Sequence, residues 1–121
     1  MKLRINGNTI RLRLTMSEVD YFGRTHFIEN ETEFVNSDFH YALDTLAQGS
    51  IVAQFADGKL VVSIPSALAQ EWTSTSLISL HGVMETSNGK KLDILIEKDF
   101  KCLDDVMEDQ SDHYDNPATK K

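Results

Sequence analysis

With a single cysteine, Cys102, the chain has no internal disulfide and fits a reducing compartment. It has no apolar run approaching the length of a membrane span and no charged-then-apolar leader, so a soluble, cytoplasmic protein with no membrane partner is expected. Nor does it have an excess of base. Twelve Lys and Arg stand against 19 Asp and Glu, a formal net charge of −7, which argues against nucleic acid as a partner because phosphate attraction needs a net basic footprint. A local basic patch still has the charge to hold one phosphate group.

The usual carriers of chemistry are also missing. There is no Gly-rich phosphate loop, nucleophile elbow or triad spacing. No paired-Cys or paired-His spacing suits zinc, and the repeating Asp-x-Asp-x-Asp-Gly loop of a calcium site does not occur. Cys102 has acidic neighbours, which disfavour the thiolate, so an inert, buried thiol is expected rather than a nucleophile. The expectation is no metal and no cofactor.

What is present begins at the amino terminus. Met1, Leu3 and Ile5 alternate with Lys2 and Arg4, and Ile10, Leu12 and Leu14 alternate with Arg11 and Arg13, around Asn6-Gly7-Asn8. A period of two places the apolar set on one face and Lys2, Arg4, Arg11 and Arg13 on the other. A Gly7-Asn8 loop pairs Ile5 with Ile10, an Asn6-Gly7 loop pairs Leu3 with Ile10, and the pattern alone allows both. In either register like charges lie opposite or diagonal, at a cost of about 0.2–1 kcal/mol per close pair. That cost marks the four cations as candidates for meeting negative charge, either the chain's own or a ligand's.

Further along, Ser17-Glu18-Val19-Asp20 has the N-cap and first-turn acids of a helix over 17–23, ended by Gly23. Residues 26–35 read as a strand, with Glu29, Glu31 and Glu33 in one row that resembles a metal-binding row in outline but is more commonly a solvent-facing edge. Phe39, Tyr41 and Leu43 alternate as a second strand, with a helix the competing reading, and His40 and His81 fall at ordinary strand positions. Asp57-Gly58 makes the cleanest hairpin, matching Phe55 with Leu60, Ala53 with Val62 and Ile51 with Ile64. Pro65 then opens a helix over 65–72, with Leu68 and Trp72 on one side. In the last hairpin a two-residue Asn88-Gly89 loop would set Met84 against Asp93. A three-residue Ser87-Asn88-Gly89 loop instead pairs Met84 with Leu92, Gly82 with Ile94 and Leu80 with Ile96, and is preferred. Gly82 leaves room there for a neighbouring side chain.

From Glu97 to Asp115 eight acids face only Lys98 and Lys101. Two accounts of the cations follow. The acidic tail folds back and neutralises them, anchored by Leu103, Val106, Met107 and Tyr114, or the basic face binds an anionic small molecule or an acidic protein surface, to which Arg forks are well suited.

The stretches Asn6 to Val19, Leu95 to Leu103, and Glu108 to Asp112 with Asn116-Pro117 resemble the start and close of a small family of uncharacterised bacterial proteins of about this length. The resemblance runs over essentially the whole chain and implies a free-standing domain with no activity to transfer. At 121 residues and 40% hydrophobic content, one domain with a real core is expected. Its expected form is a mainly antiparallel α+β domain over 1–103, with seven or eight strands in a barrel-like or two-layer sheet and two short helices, followed by an acidic tail over 104–121, partly docked or disordered. No internal repeat is visible. The leading functional expectation is a non-enzymatic binding or interaction protein, with a homodimer through an open sheet edge as one form. The alternative is a small enzyme or ligand-binding barrel acting on a phosphorylated or other anionic compound through Lys2, Arg4, Arg11 and Arg13.

Overall fold

The computed structural model describes residues 1–100 and Tyr114. The tail over 104–121 and the readings placed on Cys102, Leu103 and His113 lie outside those residues, Tyr114 apart, which is fully exposed.

Ten elements follow one another: β1 (Lys2–Asn6), β2 (Thr9–Leu14), α1 (Met16–Thr25), β3 (Phe27–Glu33), β4 (Asp38–Leu46), β5 (Val52–Ala56), β6 (Lys59–Pro65), α2 (Ser66–Ser74), β7 (Ser79–Glu85) and β8 (Lys91–Lys98). The class is α+β, and among the described residues there are eight strands and two helices. The sheets correct the expectation of antiparallel pairing. There are two, ordered β1-β2-β8-β7 and β3-β4-β6-β5, and neither closes into a barrel. In each, two antiparallel hairpins meet along a central parallel pair, β2 with β8 and β4 with β6. Hairpin signals are local and were legible; the pairing between hairpins from different parts of the chain has no local signal.

The diagram also contains a repeat that the sequence conceals. β1-β2-α1-β3-β4 and β5-β6-α2-β7-β8 are the same ββαββ unit, and exchanging the units turns one sheet order into the other. Cross-strand registers match position by position: Lys2 faces Arg13 as Val52 faces Ser63, and Arg4 faces Arg11 as Gln54 faces Val61. The helices meet at corresponding residues. Phe22 packs edge-on to Trp72 with ring centroids 6.5 Å apart, and Gly23 lies against Thr73. Each sheet takes one hairpin from each unit, so the units interlock.

The inner faces of both sheets bury one core. Ile10, Leu12 and Leu14 of β2, Leu43 of β4, Val62 and Ile64 of β6, and Ile94 and Ile96 of β8 surround Phe22 and Trp72. Trp72 is fully buried, and its indole N–H donates to the Ile78 carbonyl at 3.0 Å, so its one polar atom is satisfied.

Local details sharpen several expectations. The first hairpin takes the Gly7-Asn8 register, pairing Ile5 with Ile10 and Leu3 with Leu12. The last takes the three-residue loop, pairing Met84 with Leu92 and Leu80 with Ile96, with Gly89 at φ 80°. α1 starts earlier and runs longer than read. Its N-cap is Thr15, in a reciprocal capping box with Glu18, and the chain passes through Gly23 to end at His26 in the left-handed region. Gly23 stays helical because its missing side chain admits Thr73 of α2, whose Cβ lies 3.2 Å from where a glycine Cβ would stand. Pro65 is the N-cap of α2 and still belongs to β6, so that helix runs 66–74. Gly82 does make room for a neighbour, and the neighbour is Ile51.

Candidate anion-binding site

The outward face of the first sheet gathers the predicted cations. β1 contributes Lys2 and Arg4, and β2 contributes Arg11 and Arg13, in the directly opposed pairs Lys2–Arg13 and Arg4–Arg11. Two guanidiniums facing across a hairpin repel each other, and β8, parallel to β2, supplies the compensation. It sets Glu97 beside Arg13, whose Nε donates to Glu97 Oε1 at 3.3 Å, while Arg11 Nε lies 3.4 Å from the same oxygen. Lys2 Nζ is 3.2 Å from Asp99 Oδ2. The two acids that open the long acidic stretch therefore meet three of the four cations.

One carboxylate oxygen thus serves two guanidiniums. Beside them is a cleft of about 230 Å³ whose described lining is Arg4, Asn6, Thr9 and Arg11. Asn6 and Thr9 are the last paired residues before the Gly7-Asn8 turn, so a carboxamide and a hydroxyl lie at the tip end of the cleft, and the two arginines follow along the strands. The turn is held in place: the Asn8 amide donates to the Lys91 carbonyl at 2.9 Å, and the Asp93 N–H donates to the Asn8 carbonyl at 3.0 Å. Arg11 Nε is buried and has no hydrogen-bond acceptor among the described residues, since Glu97 approaches it as a charge and not along the N–H. A buried guanidinium donor left without an acceptor costs roughly 1–3 kcal/mol or more. The lining is thus two arginines and two small polar side chains, all able to donate hydrogen bonds. Among the described residues the lining includes no carboxylate, imidazole or thiol for proton or nucleophile chemistry.

The cleft is smaller than the roughly 300–1,000 Å³ of sites that enclose drug-sized ligands. A phosphate- or carboxylate-sized group fits it, with the rest of any larger molecule outside.

Elsewhere the structure joins residues that were read separately. β3 and β4 form a hairpin that places Glu31 opposite His40 and Glu33 opposite Asp38, so the glutamate row gains a histidine and an aspartate on the same face. β4 begins at Asp38, one residue before the alternation of Phe39, Tyr41 and Leu43, and so carries Asp38 and His40 on one side. Only the β3–β4 register brought that side to the glutamates. His81 lies 3.0 Å from Asp93, and His26 caps α1.

The class so defined is an α+β protein of two interlocking ββαββ units, with a cationic cleft on the outer face of one sheet. The chain belongs to DUF7009, a family of unknown function, whose profile matches residues 1–118. No curated protein matches the chain, and no solved structure does.

Proposed function

We propose that this is a non-enzymatic binding protein that holds the anionic group of its partner, a phosphate or a carboxylate, between Arg4 and Arg11. The observation that carries the reading is the internal repeat. The positions of Lys2, Arg4, Arg11 and Arg13 in the first unit are occupied by Val52, Gln54, Val61 and Ser63 in the second. The same strands with the same pairing form there with no cation at any of those four positions and with Lys59 as the one cation of the hairpin, so the fold has no need of four on one face. Arg4 and Arg11 stand directly opposite each other, so an anion seated between them is attracted by both. The described lining, two guanidiniums with a carboxamide and a hydroxyl, is rich in hydrogen-bond donors and supports binding of an anion.

Titration of the 15N-labelled protein with inorganic phosphate, pyrophosphate and citrate tests the proposal. The expected result is saturable shifts at Asn6, Thr9 and the Arg4 and Arg11 Nε–H groups. Arg11→Gln should weaken binding at least tenfold while thermal stability stays within a few degrees. Absence of saturable shifts at millimolar anion, or an Arg11→Gln protein that fails to fold, would assign the cations to structure instead.

A further inference from the structure

On the other side of the molecule, and independent of the anion cleft, we infer that the outer face of the second sheet carries a divalent metal site of the zinc class, with His40 Nε2, Glu31 and Asp38 as ligands. One ligand atom from each of these three residues lies within 4.8 Å of the others. Glu31 and His40 are direct cross-strand partners, and Asp38 stands two residues before His40 on the same face of β4. His40 Nε2 is 3.5 Å from Glu31 Oε2. That is longer than a good N–H···O hydrogen bond. It matches the edge of a coordination tetrahedron, about 3.4 Å for ligand bonds of about 2.0–2.1 Å. One imidazole with two carboxylates suits Zn²⁺ and its neighbours Co²⁺ and Ni²⁺ better than the all-oxygen shells of Ca²⁺ or Mg²⁺.

Around these ligands stands the outer shell that such sites use. The other ring nitrogen, His40 Nδ1, lies 3.6 Å from Glu29 Oε2, and that oxygen is held at 3.0 Å by Lys59 Nζ from β6. At that separation Glu29 faces the far nitrogen as a neighbouring negative charge and not through a hydrogen bond, and it is placed to become the outer-shell partner of a ligating histidine. The backbone is fixed as well. The His40 N–H donates to the Gly58 carbonyl at 2.9 Å, and a side chain at Gly58, itself at φ 74°, would press to 3.1 Å on the Asp38 carbonyl oxygen. A bare Asp57-Gly58 turn therefore fits against the ligand strand.

The repeat again separates what the fold requires from what this face has in addition. In the second unit the positions of Glu31, Asp38 and His40 hold Val83, Lys91 and Asp93. The β7–β8 hairpin pairs in the same register and keeps only a histidine–aspartate pair, His81 with Asp93, so strand pairing does not account for the three-residue cluster on β3–β4.

Isothermal titration of the untagged full chain with Zn²⁺, and visible absorption with Co²⁺ as a spectroscopic stand-in, decide the matter. The expected result is one equivalent bound with micromolar affinity and a Co²⁺ spectrum of low coordination number. His40→Ala should abolish binding, Glu31→Gln should weaken it tenfold or more, and His81→Ala should leave it unchanged. Glu29→Gln should lower affinity by about tenfold without removing a ligand. Should a variant be poorly folded, broadening of the His40 ring resonances by substoichiometric Co²⁺ in the unaltered protein reads the same site. No binding at 100-fold excess metal over protein, equal binding in the His40→Ala protein, or broadening confined to His81 or His113 would each overturn the inference.

Discussion

Glu18 shows how much a single side chain settles at the start of this fold. One carboxylate oxygen accepts the Thr15 backbone N–H at 2.9 Å and closes the capping box, and the other meets the ammonium of Met1, whose carbonyl accepts from the Tyr41 hydroxyl. Burial raises the carboxyl's pKa, but the ammonium hydrogen bond, the Thr15 contacts and the charge attraction together outweigh it, so the group titrates below its ordinary 4.5. A carboxyl lowered on folding contributes stability that is fully present above pH 4.5 and disappears as the pH falls through the lowered value. Glu18→Gln should therefore be less stable than the parent protein at pH 7, and the gap should close in more acid solution. Urea unfolding of both proteins at pH 7 and pH 3 measures it. Thr15 was passed over in the sequence because Ser17 is an equally good cap by type. Only the position of Glu18 three residues after Thr15 distinguishes them, and that spacing was there to be read.

At the scale of elements, the close approach of β7 to the segment entering β5 leads to a sharp expectation. A Cβ built on Gly82 would lie 2.6 Å from the Ile51 Cβ, and neither atom can rotate away. Gly82→Ala should destabilise the protein by about 1–3 kcal/mol, lowering Tm by several degrees in a thermal scan. Gly89→Ala tests backbone strain instead, since nothing lies within 4 Å there and only its φ of 80° resists a side chain. Strands, turns and both helices were largely legible, because each is written in a local period or a turn dipeptide. Register was legible too where apolar partners had to match, as with Leu80 and Ile96. The parallel seams were not, because nothing in residues 9–14 names residues 93–98 as neighbours. For the same reason the site was half legible. Alternation found the four cations, but Glu97 and Asp99 as their partners, and His40 with Asp38 as companions of the glutamate row, depend on which hairpin lies beside which.

Across the whole molecule, each unit gives away its hairpins. β1-β2 completes a sheet with β7-β8, and β3-β4 completes one with β5-β6, so neither unit has a closed core by itself. Residues 1–48 and 49–121, divided in the exposed loop before Ile51, should each be unfolded alone, yet associate into the native fold when expressed together. Circular dichroism and co-purification read this directly, and a folded, monomeric 1–48 fragment would contradict it. Between residues 2–26 and 52–76, corresponding positions share one identical residue, Thr25 with Thr75. The repeat survives as a class of side chain: Leu3 with Ala53, Ile10 with Leu60, Leu12 with Val62, Leu14 with Ile64, Val19 with Ala69, Phe22 with Trp72. Composition and periodicity could not reveal it, because core packing constrains size and polarity and leaves identity open.

Covalent linkage of the two units has a consequence for what the surface is free to become. Two separate identical chains assembled in this manner would display every outward residue twice, and a row of guanidiniums on one flank would oblige the opposite flank to repel its own ligands as strongly. Tethered in tandem, the copies answer to different demands: one flank keeps its arginines beside a shared glutamate, while the other sets imidazole among carboxylates. A single small core thereby supports two chemically opposed surfaces.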